Sequence, residues 1–145
     1  MSPASRKDVS LAIAQLMPHI IQGVHLDFLT SRNITQTQFL VLVAIHSKER
    51  APMNVLASNM KVSMPTISGI VDRLVRAGFL RRVEDPHDRR QVVVELTSKG
   101  RALIAQFQTA ISQRWQEVLL ALFSQELEAF YQVVAKLTEG LRQRK

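Results

Sequence analysis

Two short stretches of the chain hold side chains whose types and order suit contact with a polyanion. The first is Ser63, Pro65, Thr66, Ser68 and Gly69, followed by Arg73 and Arg76, and the second is Asp88, Arg89 and Arg90. Their chemistry is hydrogen bonding and charge pairing, with no bond made or broken. Small and hydroxylated residues at the start of a helix leave room for base edges in a major groove. Arginines a turn or two later lie where phosphates would run. In the second stretch, an arginine on a turn can enter a narrow minor groove, whose negative potential attracts it. Asp88, two residues before Arg90, can accept a hydrogen bond from the guanidinium and hold it outward. Six of the 13 arginines (Arg73, Arg76, Arg81, Arg82, Arg89 and Arg90) fall within these 18 residues.

The elements that must position these groups can be read from spacing. Ser63 caps a helix with Pro65 in its first turn, where a missing N–H is harmless. In that helix Ile67, Ile70, Val71, Leu74 and Val75 form one buried stripe. Its burial turns Pro65, Thr66, Gly69, Arg73 and Arg76 outward, with Ser68 and Asp72 on the flanks. Gly78 ends the helix. A shorter helix, Met53 to Met60, precedes it across a Lys61-Val62 turn and carries Leu56 and Ala57 as its inner side. Phe79 to Glu84 and Gln91 to Leu96 are β-prone, the second with Val92, Val94 and Leu96 on one face. The charged turn between them makes a projecting hairpin.

Around this centre the pattern is helical. Ile13, Met17, Ile20, Val24 and Phe28 share a face from about Asp8 to Thr30, with Pro18 expected to kink or break that helix. Thr35 caps a helix through Ile45 with Phe39, Leu40, Leu42 and Val43 as core, and Lys48 to Pro52 reads as a polar connection. Thr97 caps a long helix to about Leu122. Ser124 opens a last one, in which Leu127, Phe130, Val134, Leu137 and Leu141 form an a/d seam. The expected fold is mainly α with a small β-hairpin wing: a winged helix-turn-helix with added N- and C-terminal helices. Three segments follow from it, residues 1–34, 35–97 and 98–145, the middle one for DNA.

Leu56-Ala57, Val62-Ser63-x-Pro65-Thr66-Ile67-Ser68, Val71-Asp72-Arg73-Leu74, Gly78-Phe79-Leu80, Asp85-Pro86-x-Asp88-Arg89-Arg90 and Leu96-Thr97-x-x-Gly100 together resemble the multiple antibiotic resistance regulator (MarR) family. The resemblance runs through the whole chain. It implies a homodimeric winged-helix transcription regulator on pseudo-palindromic double-stranded DNA, with residues 1–34 and 98–145 serving dimerisation. It would probe the major groove with Pro65, Thr66, Ser68 and Arg73. Arg90 would enter the minor groove, with Arg89 nearer the backbone. Gly69 departs from the arginine that many members carry. The resemblance further implies release by a small aromatic or anionic ligand in a cleft where His19, His25, Phe28 and Trp115 lie by position. The reading is thus of a repressor. The alternative is a winged-helix module for protein contacts or nucleoid packaging, without base preference.

Composition bounds the same answer. Across 145 residues, 19 Lys and Arg against 12 Asp and Glu give a net charge of +7. The excess is spread as +2, +2 and +3 over residues 1–60, 61–96 and 97–145, so it favours a polyanionic partner without locating the site. With no cysteine, disulfides, thiolate metal sites and thiol switches are excluded. His19 and His25, six apart, cannot share a helix face as metal ligands. The longest unbroken apolar run, Phe39 to Ile45, has seven residues and the start lacks a secretory pattern, so a cytoplasmic protein without a membrane span is expected. There is no Gly-rich phosphate loop, no placed carboxylate pair and no nucleophile–histidine pair. No catalysis and no cofactor are expected.

Overall fold

The computed structural model describes residues 2–144, leaving out the side chains of residues 23, 25 and 26. Its elements are α1 (Arg6–Ser31), α2 (Gln36–His46), β1 (Arg50–Pro52), α3 (Met53–Met60), α4 (Met64–Arg76), β2 (Leu80–Glu84), β3 (Val92–Leu96), α5 (Ser98–Leu119) and α6 (Ser124–Arg142). Side-chain caps set the starts. The Thr35 hydroxyl accepts from the Gln38 N–H at 3.1 Å, while the Gln38 amide oxygen accepts from the Thr35 N–H at 3.0 Å. Ser5 and Asp8 cap α1 in the same reciprocal way.

One core joins α2, α3, α4 and the sheet. Phe39, Val41, Leu42 and Ile45 meet Leu56, Ile67, Val71, Leu74, Leu80, Val94 and Leu96, all buried. Phe28 of α1 and Phe39 of α2 both stack against Phe107 of α5, at centroid distances of 5.4 and 4.4 Å. The long helices are thereby tied to the small domain.

Several expectations are corrected. Leu40 and Val43 are 46% and 40% exposed. The run from Phe39 to Val43 wraps the helix, so only the residues spaced toward the sheet, Phe39, Leu42 and Ile45 with Val41, go inside. Ile13 is also exposed, and α1 continues through Pro18 without a break. The connection at residues 48–52 contains β1, which pairs antiparallel with β3 and makes the hairpin a three-stranded sheet of order β1-β3-β2. As an edge strand, β1 tolerates Pro52. In β3 it is Val93, Val94, Glu95 and Leu96 that are buried, and Val92 is exposed.

The joint between the sheet and α5 explains the Leu-Thr-x-x-Gly motif. The Thr97 hydroxyl donates to the Gly78 carbonyl and accepts from the Gly100 N–H, and the Thr97 N–H donates to the Phe79 carbonyl. A Cβ on Gly100 would stand 2.3 Å from the Phe79 carbonyl oxygen, so only glycine fits. Gly78 has φ +85°, the left-handed helix stop that glycine adopts freely.

The terminal helices are less enclosed. α1 is long and apolar enough to cross a membrane by length and composition, with a mean hydropathy of 1.3 over its best 18 residues. Counting unbroken apolar runs had pointed to no such segment, because single polar residues interrupt this one. Ile20, Phe28 and Leu29 of α1 are nevertheless buried within the protein. α6 has no buried residue among those described.

Candidate nucleic-acid interface

At the start of α4 the sequence builds a tight, small-residue nose. The Ser63 hydroxyl accepts from the Thr66 N–H at 3.3 Å and lies 2.8 Å from the Thr66 hydroxyl. Ser63 therefore serves the cap, and the two hydroxyls satisfy one another in the free protein. Pro65, Thr66, Gly69, Arg73 and Arg76 are all exposed, and Ser68 and Asp72 are half-buried, as the buried stripe of Ile67, Val71 and Leu74 requires. No atom lies within 4 Å of where a Gly69 Cβ would be, so its surface is open.

The wing is braced from both faces of the sheet. Consecutive residues on a strand point to opposite faces, so Arg81 and Arg82 find different carboxylates. Arg82 pairs with Asp72 of α4, joining wing to helix. Arg81 pairs with Glu95, whose other oxygen receives the Arg50 Nε at 2.8 Å. Arg50, Glu95 and Arg81 stand directly opposite one another on β1, β3 and β2. Burial works to raise the Glu95 pKa, but hydrogen bonding to Arg81, its charge, and then Arg50 outweigh that and hold the carboxyl below its ordinary range.

At the wing tip the expected role of Asp88 is corrected. Its carboxylate accepts from the backbone N–H of Arg90 at 3.0 Å, and its carbonyl accepts from the Gln91 N–H. Asp85 does the same for the His87 N–H at 2.9 Å. These are Asx turns: Asp88 shapes the backbone from which Arg90 springs and does not grip its guanidinium. Arg73, Arg89 and Arg90 make no ion pair among the described residues. Of the ten candidate residues, Ser68 of α4 and Arg90 of the wing line one hollow and are thereby brought together. Asp72, Arg82 and Glu95, which brace the wing, are given no such role by the sequence reading. The signal available was two adjacent strand arginines with a carboxylate within reach on each face.

Elsewhere, Phe28 and Arg32 stack, with the guanidinium carbon 3.6 Å from the ring centroid. With Asp27, Arg114 and Glu117 they line a hollow of about 530 Å³ between α1 and α5. Trp115 lies against Phe130 instead, at 6.5 Å between centroids. The His19 carbonyl accepts from Arg114 at 3.5 Å. The side chain of His25 lies outside the described residues.

Comparison with known proteins points one way. Residues 34–92 match the model of the MarR family. The transcriptional repressor YetL of Bacillus subtilis is 26% identical over 136 residues, spanning 92% of this chain and 77% of YetL. The transcriptional regulator Tm0710 of Thermotoga maritima superposes with a TM-score of 0.76 at 22% identity, over 92% of this chain and 96% of that one. A MepR variant of S. aureus, solved bound to an oligodeoxyribonucleotide, superposes with a TM-score of 0.69 at 23% identity, over 94% and 98%. The structures share the fold, and the matched segment contains α2, α3, α4 and the wing turn. The chain is thus similar to the MarR family in its middle segment, and to a transcriptional repressor along nine-tenths of its own length.

Proposed function

We propose that this protein is a dimeric, sequence-specific DNA-binding repressor of transcription, released by a small molecule. The observation that carries the reading is an exposed small-residue helix start tied by Asp72–Arg82 to the wing, with Arg73, Arg89 and Arg90 making no ion pair among the described residues. Ser63, Pro65, Thr66, Ser68 and Gly69 face the major groove, Arg73 and Arg76 the phosphates, and Arg90 the minor groove. MepR, of the same fold, has been solved on DNA, and YetL is a repressor.

Dimerisation through residues 1–34 and 98–145 fits the exposed apolar surface. Leu127, Phe130, Val134, Leu137 and Leu141 of α6 keep 40–67% of their area exposed, and Leu120 and Phe123 at the α5–α6 turn keep 84% and 80%. An apolar face of this extent marks an interaction site. A two-fold dimer then sets two α4 helices about 34 Å apart, matching an inverted-repeat operator. The hollow of Phe28, Arg32 and Arg114, in which Glu117 pairs with Arg114 and Asp27 also stands, offers an aromatic wall and the Arg32 guanidinium for the small aromatic or anionic ligand. Occupancy that favours a misplaced pair of helices draws population from the DNA-competent state. Footprinting of the full-length protein on DNA flanking its own gene tests the reading. A protected inverted repeat supports it, and uniform coverage favours a packaging module.

A further inference from the structure

A hollow of about 450 Å³ opens between the start of α4 and the wing. Met64 and Val92, which face it, are 48% and 47% exposed, although both are large and apolar and sit amid cationic groups. Met53 adds to this apolar lining, and Arg82 and Arg90 line the hollow as well. Arg82 is held by Asp72, while Arg90 makes no ion pair among the described residues. A lining both apolar and cationic is complementary to a group that is apolar on one side and anionic on the other. Deoxyribose phosphate is such a group: its C–H face is apolar and its oxygens carry the charge.

The position agrees with the chemistry. With α4 in the major groove and the wing in the adjacent minor groove, the strand dividing the two grooves has to cross the gap between them. We propose that this hollow seats one sugar–phosphate unit of that dividing strand, with the sugar against Met64 and Val92 and the phosphate beside Arg82 and Arg90, Arg90 reaching past it into the minor groove. The inference rests on the DNA-binding reading and adds to it a sequence-independent apolar seat. Such a seat fixes the register of helix and wing without reading a base.

The test is fluorescence anisotropy of the full-length protein with Met64→Ala, Met64→Leu and Val92→Ala. The probes are a selected operator duplex and a scrambled duplex of equal length, each titrated over salt. Both alanine variants are expected to lose about three- to tenfold in affinity, the scale of one or two buried methylenes. The loss is equal on both duplexes and leaves the salt slope unchanged, because no phosphate charge contact is removed. Met64→Leu is expected to retain affinity. Unchanged binding by both alanine variants would overturn the seat. A loss confined to the operator would overturn it too, by making Met64 or Val92 a base reader. Failure of the wild type to bind either duplex would instead remove the DNA-binding reading itself.

Discussion

Asp72 of α4 and Arg82 of β2 form an ion pair that links the reading helix directly to the wing. Both side chains are partly exposed, at 46% and 35%, so the pair adds only about 0.2–1 kcal/mol to folding. Its value lies in geometry. On the proposed reading, DNA meets α4 and the Arg90 turn at once, and the pair sets their separation. Asp72→Asn and Arg82→Gln are each expected to weaken operator binding about three- to tenfold with little change in thermal midpoint. The double variant is expected to be no worse than either single one, which a double-mutant cycle on affinity will show.

Glu95 gives a pH dependence with a definite sign. Its folded-state pKa is held below the unfolded value by Arg81 and Arg50, against burial. The group therefore stabilises the fold above the unfolded carboxylate pKa and loses that contribution as pH falls through the lower folded value. Glu95→Gln is expected to lower stability by about 1–2 kcal/mol at pH 7 and to flatten the acid limb of stability against pH. Denaturant unfolding at a series of pH values from neutral to about 3 checks both.

The sequence made α4 legible because a single stripe, Ile67 to Val75, and two end signals, Ser63 and Gly78, all agree. The wing tip was legible through its turn residues. What stayed hidden depended on partners distant in sequence. β1 has three residues and a proline, and it exists because β3 offers an edge. Asp88 was placed beside Arg90 rightly but given the wrong atom, since spacing two residues apart serves an Asx turn as readily as a side-chain pair. Leu40 and Val43 were assigned to the core from a run that is apolar all round. Both are exposed, as is the apolar seam of α6.

Gly100 is a steric requirement rather than a flexible point. Gly100→Ala would press a methyl into the Phe79 carbonyl, so a loss of about 2–4 kcal/mol and a lowered thermal midpoint are expected. Gly69→Ala is the contrast. Nothing surrounds that site, and an exposed helix gains about 1 kcal/mol from alanine, so its midpoint is expected to rise. Parallel thermal melts of the two variants settle the difference.

On the proposed reading, the α6 seam carries the dimer. Phe130→Asp with Leu137→Asp is expected to shift the protein from dimer to monomer in sedimentation velocity at micromolar concentration. DNA binding should fall with it, because two half-sites can no longer be engaged together. A wild type that sediments as a monomer at that concentration would overturn the assignment.

The central claim is that α4 and the wing together read a DNA sequence. Its most direct measurement is the affinity of the wild type and of Arg90→Ala for a selected operator and a scrambled duplex, at physiological salt. The wild type is expected to prefer the operator by on the order of a thousandfold or more. Arg90→Ala is expected to lose several-fold to a hundredfold on the operator while remaining folded. Equal wild-type affinity for the two duplexes, or an Arg90→Ala variant that binds the operator as tightly as wild type, would contradict the account.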